Sequence, residues 1–543
     1  MITDGAKKDW MDYFPYDVPR LAQETAISAI LDSFEEGKKV FILEAGTGVG
    51  KSAIGLTAAR ALQDSSSSED HGNGSYFLTT QKVLQEQYVK DFGTPSGCMK
   101  SIKSSRNYTC AFNTKNSCAE SMRTLRAAPK GTPFWKKCVF DCTYKNSKKM
   151  FIESPEGVTN FPYFLTETQF SGKIKPRKVL VVDEAHNAPN ELSKFIEISI
   201  SERFTNKTLK LEMPDIQSQN QAVEWIKKTY LPHLKSQISK IDAMIEKYES
   251  LQSKLQEFAK FVKQYDLLDN HISKIERFIQ IYDKDNWVFN VSPASYRQSK
   301  KLEFKPIDVS FYASDMLFNM GEKIILMSAT ILDPTALCEM LGLDIEDVGF
   351  ISIPSPFPVE NRPVLIAPVG KMSAKDIDST LPNLTQAVKS IIDQHKDEKG
   401  IIHCHTFKIA NYLKKTIRSK RVLIHNSDNR EKILEKHLTS KQPTVLLSPS
   451  MTEGVDLHGD RGRFQIICKV PFPYLGDKLI RKKMNKWNWW YPLQTAKTIV
   501  QAVGRSVRSD DDHAVTYILD SDWGRFYSSN KKLFPPSFHR SIV

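Results

Sequence analysis

The run Val40-Phe41-Ile42-Leu43 leads into Ala45-Gly46-Thr47-Gly48-Val49-Gly50-Lys51-Ser52, and apolar residues then recur at Ile54, Leu56, Ala58, Ala59 and Leu62. An apolar run, a string of small residues and a helical period predict strand, loop and helix in succession. The loop residues must be small so that successive backbone N–H groups can wrap phosphate oxygens at the positive end of the following helix. Lys51 would set a cation against the β- and γ-phosphates, and the Ser52 hydroxyl would ligate Mg²⁺. Gly46, Thr47, Gly48, Gly50, Lys51 and Ser52 are therefore the candidate nucleotide-binding residues.

Further apolar runs alternate with helical segments. Tyr76 to Thr80 reads as a strand, and so does Lys178 to Val182, which ends at Asp183-Glu184-Ala185-His186. Such alternation implies an α/β fold with a parallel sheet and helices on both faces. A carboxylate at that strand end can hold the hydrated Mg²⁺ of MgATP, and the next can take a proton from attacking water. The plain alternative, an acidic helix start, is outweighed by the phosphate loop that accompanies it. Strand patterns return at Lys323 to Met327, Gly400 to Cys404, Val422 to Ile424, Val445 to Leu447, Phe464 to Val470 and Val515 to Leu519. Two α/β units suggest a nucleotide cleft between them. In the second unit Arg505 and Arg508 stand three apart, which predicts one helical face. A guanidinium aimed across a cleft stabilises charge on a γ-phosphate. Thr452 to Asp456 reads as a loop that senses nucleotide or nucleic acid. His403 and His405 lack a third nearby ligand and read as structural.

Between these units, residues 193 to 303 change character. Ile238, Ile241, Met244, Ile245 and Tyr248 keep helical spacing among Lys and Glu, with Pro232 interrupting early. This predicts an inserted helical domain without catalytic residues.

Residues 97 to 150 carry five of the eight cysteines and twelve Lys or Arg against two acids, most of the formal net charge of +13. So local a surplus points to a polyanion partner. Interleaved Tyr108, Phe112, Phe134, Trp135, Phe140 and Tyr144 suit stacked bases, although some must form the segment's own core. No apolar run approaches the ~18 residues of a membrane span, and the first residues lack a signal-peptide layout. No membrane partner and a cytoplasmic location are therefore expected. Thiols stay reduced there, so the cysteines point to metal or redox chemistry rather than disulfides.

Taken in this order, the motifs resemble the XPD/DinG family of iron–sulfur-cluster-containing superfamily 2 DNA helicases. The match runs over nearly the whole chain. Pro19 to Gln23 resembles the family's adenine-reading segment, with Arg20 and Gln23 as its contacts; Glu44 to Ser52 resembles its phosphate loop. Thr79-Thr80-Gln81 to Gln87 is similar to motif Ia, Asp183 to His186 to the DEAH box, Leu326 to Leu332 to motif III, and Gln501 to Arg508 to motif VI. Ser355-Pro356-Phe357-Pro358 and Pro471-Phe472-Pro473 are further family-like segments. Arg106-Asn107-Tyr108-Thr109-Cys110 is the specific phrase, and its cysteine is the family's first cluster ligand. The resemblance implies Cys110, Cys118, Cys138 and Cys142 as ligands, spaced C-x₇-C-x₁₉-C-x₃-C, with Cys98 left out. Four thiolates suit a [4Fe–4S] cluster or, alternatively, zinc.

The architecture so implied is two RecA-like motor domains with a small iron–sulfur cluster domain and an α-helical arch domain inserted into the first motor. The expected bounds are 1–96, 151–192 and 304–335 for the first motor, 97–150 for the cluster domain, 193–303 for the arch and 336–543 for the second motor. The implied activity is ATP-dependent 5′→3′ movement on single-stranded DNA, with opening of forked DNA by a monomer. Lys51, Asp183, Glu184, His186, Gln501, Arg505 and Arg508 would be catalytic, Ser52 and Asp183 would hold magnesium, and Asp456 would contact the nucleotide. Thr406 and Phe407 depart from a frequent Ser-Tyr pair, and Asp522-Trp523 from an acid–x–Arg ending. Two alternatives are an ATP-driven translocase that does not separate strands and a redox-responsive nucleic-acid-binding protein.

Overall fold

The computed structural model describes residues 9–63, 70–93, 98–249, 254–295, 298–426, 428–449, 457–505 and 507–543. Two parallel sheets dominate it. The first has seven strands in the order Val348–Ile353, Val40–Ala45, Gly321–Ser328, Arg177–Asp183, Gly72–Thr79, Glu156–Asn160 and Met99–Ser101. The second has six, ordered Val364–Gly370, Val515–Asp520, Phe464–Ile467, Gly400–His403, Val445–Ser448 and Val422–Ile424. An α/β fold with two parallel sheets, fitting two RecA-like domains, is thus present.

Period-two alternation sorts the first sheet's side chains into two cores. Ile42, Leu78, Leu180, Val182 and Leu326 face one cluster, whereas Phe41, Leu43, Phe77, Val181 and Met327 face the other. A parallel strand covered by helices on both faces has no polar side, which is why these segments read as unbroken apolar runs. The helix Lys51–Gln63 is buried from Ala53 to Ala59, and its small residues Ala53, Gly55, Ala58 and Ala59 allow close approach to the sheet. A Cβ at Gly55 would meet Met327 Sδ at 2.5 Å.

The sheets redraw some expected boundaries. Val348–Ile353 pairs in parallel with Val40–Ala45, so the first sheet extends past residue 335. Met99–Ser101, inside the segment assigned to the cysteines, is that sheet's edge strand. Both strands are short, and a parallel strand's neighbour is set by its crossover rather than by the residues next to it. In the second sheet the strand from Phe464 stops at Ile467 instead of reaching Val470.

The insertion is not wholly helical. Leu231–Glu249 pairs with Leu255–Ile281, but an antiparallel sheet of Ile198–Ser201, Lys301–Pro306 and Trp287–Ser292 accompanies them. Pro232 sits at the second residue of Leu231–Glu249, directly after the π-helical turn Ile226–Tyr230. Proline cannot donate to the carbonyl of i−4, and a local change of helix pitch accommodates that loss. Of the expected apolar stripe, Ile245 is buried, while Ile238 and Ile241 pack against the main core.

Candidate active site

The phosphate loop turns between Val40–Ala45 and Lys51–Gln63 with Gly48 at φ 90° and Gly50 at φ 92°, left-handed values that glycine adopts without strain. The loop is also roofed. A Cβ at Gly48 would overlap the Phe357 ring, one at Gly46 would overlap the Ser355 backbone, and Ser355 Oγ donates to Thr47 O at 2.7 Å. The family-like Ser-Pro-Phe-Pro segment therefore folds over the loop. Arg20 Nη1 donates to Gly48 O at 2.7 Å, and a Cβ at Gly50 would strike the Gln23 amide. Arg20 and Gln23 thus brace the loop from behind rather than line the cleft wall.

Asp183 ends the neighbouring strand, buried at 6% exposure. The Tyr88 hydroxyl donates to Asp183 Oδ2 at 3.3 Å and lies near the Ser52 side chain. One hydroxyl thus adjoins both candidate magnesium ligands. Burial pushes the Asp183 carboxyl up to about 6, with Glu184 adding to the rise and Lys51 opposing it. A divalent cation between Ser52 and Asp183 would relieve that penalty, so these residues fit Mg²⁺. Glu184 follows at φ 53°, a left-handed conformation that turns its side chain away from the direction of the strand.

His186 carries the link to the second sheet. Gln501 Nε2 donates to His186 Nε2 and to Thr330 Oγ1, both at 2.9 Å. Because His186 Nε2 accepts, the ring proton sits on Nδ1, which lies 2.6 Å from Ser328 Oγ. Burial holds the His186 pKa well below the ordinary value, and Lys497, Lys51 and Arg505 add to this, so the ring is neutral. Glu44 ties motif III to the loop strand by accepting from Ile331 N and Leu332 N at 2.7 Å each and from Ser352 Oγ at 2.9 Å.

Gly46, Thr47, Gly48, Gly50, Lys51, Ser52, Asp183, Glu184, His186, Gln501, Arg505 and Arg508 all line one cleft of about 1630 Å³ between the sheets. One expectation needs correction. The helix Trp490–Val503 ends at Gly504, so Arg505 and Arg508 share no helical face and reach the cleft from the following segment. Asp456 and the loop Thr452 to Asp456 lie outside the described residues. His403 is buried, with Nε2 3.4 Å from Gln465 Oε1, and His405 Nε2 donates to Phe472 O at 3.1 Å. Thr406 caps the helix Phe407–Ile417, accepting from Ile409 N. Trp523 is core, stacked on Tyr527 at 5.1 Å. No local pattern marks Tyr88; its part comes from a distant segment.

Cys110, Cys118, Cys138 and Cys142 are buried together, with Cys118 and Cys142 sulfurs 4.0 Å apart. Burial pushes the Cys118 thiol up to about 11, helped by Cys142 and Cys110. Burial also raises Cys110, but hydrogen bonds from Ser121 and the Asn113 and Phe112 backbone outweigh it and bring that thiol below its ordinary value. Among the described residues no three His, Cys, Asp or Glu side chains converge as ligands of one metal ion. Cys98 is elsewhere, 3.4 Å from Glu156 Oε2 and 3.7 Å from Arg60 Nη2. Lys103, Arg123, Arg126, Lys137, Lys148 and Lys149 each pair with a carboxylate, so part of the segment's charge is answered within the chain.

Two family models match: a helicase C-terminal domain over residues 394–540 and the res subunit of type III restriction enzymes over residues 17–214. The chain is similar to the ATP-dependent DNA helicase YoaA of Escherichia coli, with 21% identity over 93% of this chain and 91% of that protein. It is 23% identical to the ATP-dependent DNA helicase DinG of Photobacterium profundum over 40% of this chain. A solved XPD helicase structure covers 95% of this chain and 99% of its own at a TM-score of 0.65 and 16% identity. The chain is similar to helicases of the XPD/DinG family in sequence and in fold. It also shares its fold with the Xpd4 structure of S. tokodaii, at a TM-score of 0.58 and 14% identity over 96% of this chain and 99% of that one. The aligned part spans 34% of the length of the Photobacterium DinG. No helix among the described residues is long and apolar enough to cross a membrane.

Proposed function

We propose that this chain is an ATP-dependent DNA helicase of the XPD/DinG family whose motor domains close on MgATP. The observation that carries the reading is the pair of bonds from Gln501, which couple one motor's His186 and Thr330 to the other motor's segment ending in Arg505 and Arg508. In this reading the phosphate loop and Lys51 hold the triphosphate, and Ser52 and Asp183 hold the magnesium ion. Glu184 takes the proton of the attacking water, and Arg505 and Arg508 reach the γ-phosphate as the cleft closes. Once phosphate leaves, Gln501 transmits reopening to motif III, and the strand advances 5′→3′. The partner is single-stranded and forked DNA, and the working unit is a monomer in the cytoplasm.

The cysteine segment between the strands Met99–Ser101 and Glu156–Asn160 is read as an iron–sulfur domain, and the Leu231–Glu249 and Leu255–Ile281 pair as the arch. Four buried thiols, of which Cys118 and Cys138 are raised by burial and by Cys142 and Cys110, fit a cationic guest. A mononuclear zinc site would need every sulfur about 2.3 Å from one point, whereas a [4Fe–4S] cluster takes one thiolate on each iron. Similarity to XPD/DinG helicases favours the cluster over zinc. When bound, the cluster would staple this small domain. Arg123 to Asp266 at 3.2 Å and Arg126 to Glu249 at 3.0 Å join the domain to the arch pair. Lys51→Ala should abolish ATPase stimulated by single-stranded DNA, and unwinding should require a 5′ tail rather than a 3′ tail. Undiminished ATPase in that variant would defeat the reading, and unwinding of 3′-tailed duplexes alone would reverse the polarity.

A further inference from the structure

One part of the cleft wall has no place in this mechanism. Arg362 follows the turn Val359–Asn361, just beyond the Ser355 and Phe357 segment that roofs the phosphate loop. Its Nε and Nη2 are buried, and among the described residues neither has a hydrogen-bond partner. Two nitrogens so placed lack a protein acceptor, which an anion in the cleft would supply. Its charged neighbour is a second cation. Burial lowers the Arg362 pKa, and Arg540 lowers it further. Arg362 and Arg540 line the same cleft as the phosphate loop, with Ser537 and Ser541 beside them.

The backbone holds these two cations in place. Asn361 Nδ2 donates to Asp510 O at 2.7 Å, and Ala514 N donates to Asn361 O at 2.9 Å, tying the Arg362 turn to the segment after Arg508. Val364 bridges Ile542 in parallel, and Val543 N donates to Val364 O at 3.0 Å, which anchors the helix Pro536–Ser541 that carries Arg540. Two like charges along one cleft wall, Arg362 with buried nitrogens and Arg540 exposed, match a tetrahedral oxyanion.

We propose that Arg362 and Arg540 form a second phosphate-binding subsite, separate from the phosphate loop, on the second motor's side of the cleft. It rests on the nucleotide reading of that cleft. The anion is a phosphate group, either one carried by the bound nucleotide away from the transferring γ-phosphate or inorganic phosphate after hydrolysis. Its binding would draw the second motor against the roofed loop.

The test compares the full-length wild type with Arg362→Met, Arg540→Met and Lys51→Ala. ATP, ADP and inorganic phosphate affinities are measured by calorimetry, and thermal midpoints with and without each ligand. Without ligand, Arg362→Met should melt higher, because the repulsion is gone. If the subsite takes a nucleotide phosphate, both arginine variants bind ATP and ADP about tenfold more weakly. If it takes free phosphate, phosphate affinity falls by that factor while ATP affinity holds. Should Arg362→Met fail to fold, Arg540→Met, on a short surface helix, carries the same comparison. Unchanged affinities for all three ligands in the arginine variants, with ATP binding weakened in Lys51→Ala, would overturn the subsite alone. If Lys51→Ala also leaves ATP binding unchanged, the nucleotide reading falls and the phosphate titration decides the subsite.

Discussion

Gln501 Nε2 lies 2.9 Å from His186 Nε2, although 315 positions separate the two residues in the chain. The same amide reaches Thr330, so one side chain joins the Asp183–His186 strand end, the motif III strand end and the second motor. A donor that satisfies two acceptors in a buried site can transmit a movement of one domain to the chemistry of the other. Replacing Gln501 with Leu leaves His186 Nε2 and Thr330 without their donor. ATPase turnover should fall about tenfold to a hundredfold, matching the ~1–3 kcal/mol of an unsatisfied buried group. Affinity for ATP should change little, since the phosphate loop is untouched. Steady-state kinetics with separate kcat and KM values check this, and a fall confined to KM contradicts it.

Gly48 sits at φ 90° beneath the Phe357 ring. Gly48→Ala adds backbone strain and a clash together and should cost about 2–3 kcal/mol of stability. Adding Phe357→Ala removes the clash and leaves the strain, so the double variant should recover part of the loss in a denaturant titration. No recovery would mean the ring does not roof the loop.

Cys118→Ser and Cys98→Ser should part company. Purified without oxygen, the first should lose visible absorbance near ~400 nm and bound iron, while the second keeps both. Cys98 packs against Arg60 and Glu156, away from the buried four. Loss of iron in both variants would redraw the ligand set, and a colourless wild type containing zinc would replace the cluster.

His403 and His437 are buried, and burial holds the pKa of each down to about 4. His437 Nδ1 accepts from Thr444 Oγ1 at 2.8 Å and its Nε2 donates to Arg461 O at 3.0 Å, bonds that require the neutral ring. An unfolded histidine titrates near ~6.5, so below that pH the unfolded chain binds more protons than the folded one. Stability should therefore fall as pH drops from about 6.5 towards about 4, by ~1.4 kcal/mol per pH unit for each such group. Denaturant midpoints across this range test it. His437→Gln should flatten the slope by one group, and an unchanged slope would mean His437 is not the group titrating.

Residues adjacent in the chain determined a good deal. Apolar run, small loop and helical period made one strand–loop–helix from residues 40 to 63, and an apolar strand ending in Asp183-Glu184 marked its partner. Both depend on local backbone preferences and on burial from two faces, which contiguous side chains express. The amphipathic stripe of Ile238, Ile241 and Ile245 announced a packed helix for the same reason. Tertiary structure decided the rest. Val348–Ile353 joined the first sheet because a crossover carried it to Val40–Ala45, a choice no residue within it encodes. The helix before Arg505 ended at Gly504, where three-residue spacing had suggested one more turn. Tyr88 between Ser52 and Asp183, Phe357 over Gly48, Gln501 against His186 and Arg362 beside Arg540 each join residues far apart in sequence. Such contacts form only when the whole chain has met its loop-closure cost, so their geometry belongs to the fold and not to any segment.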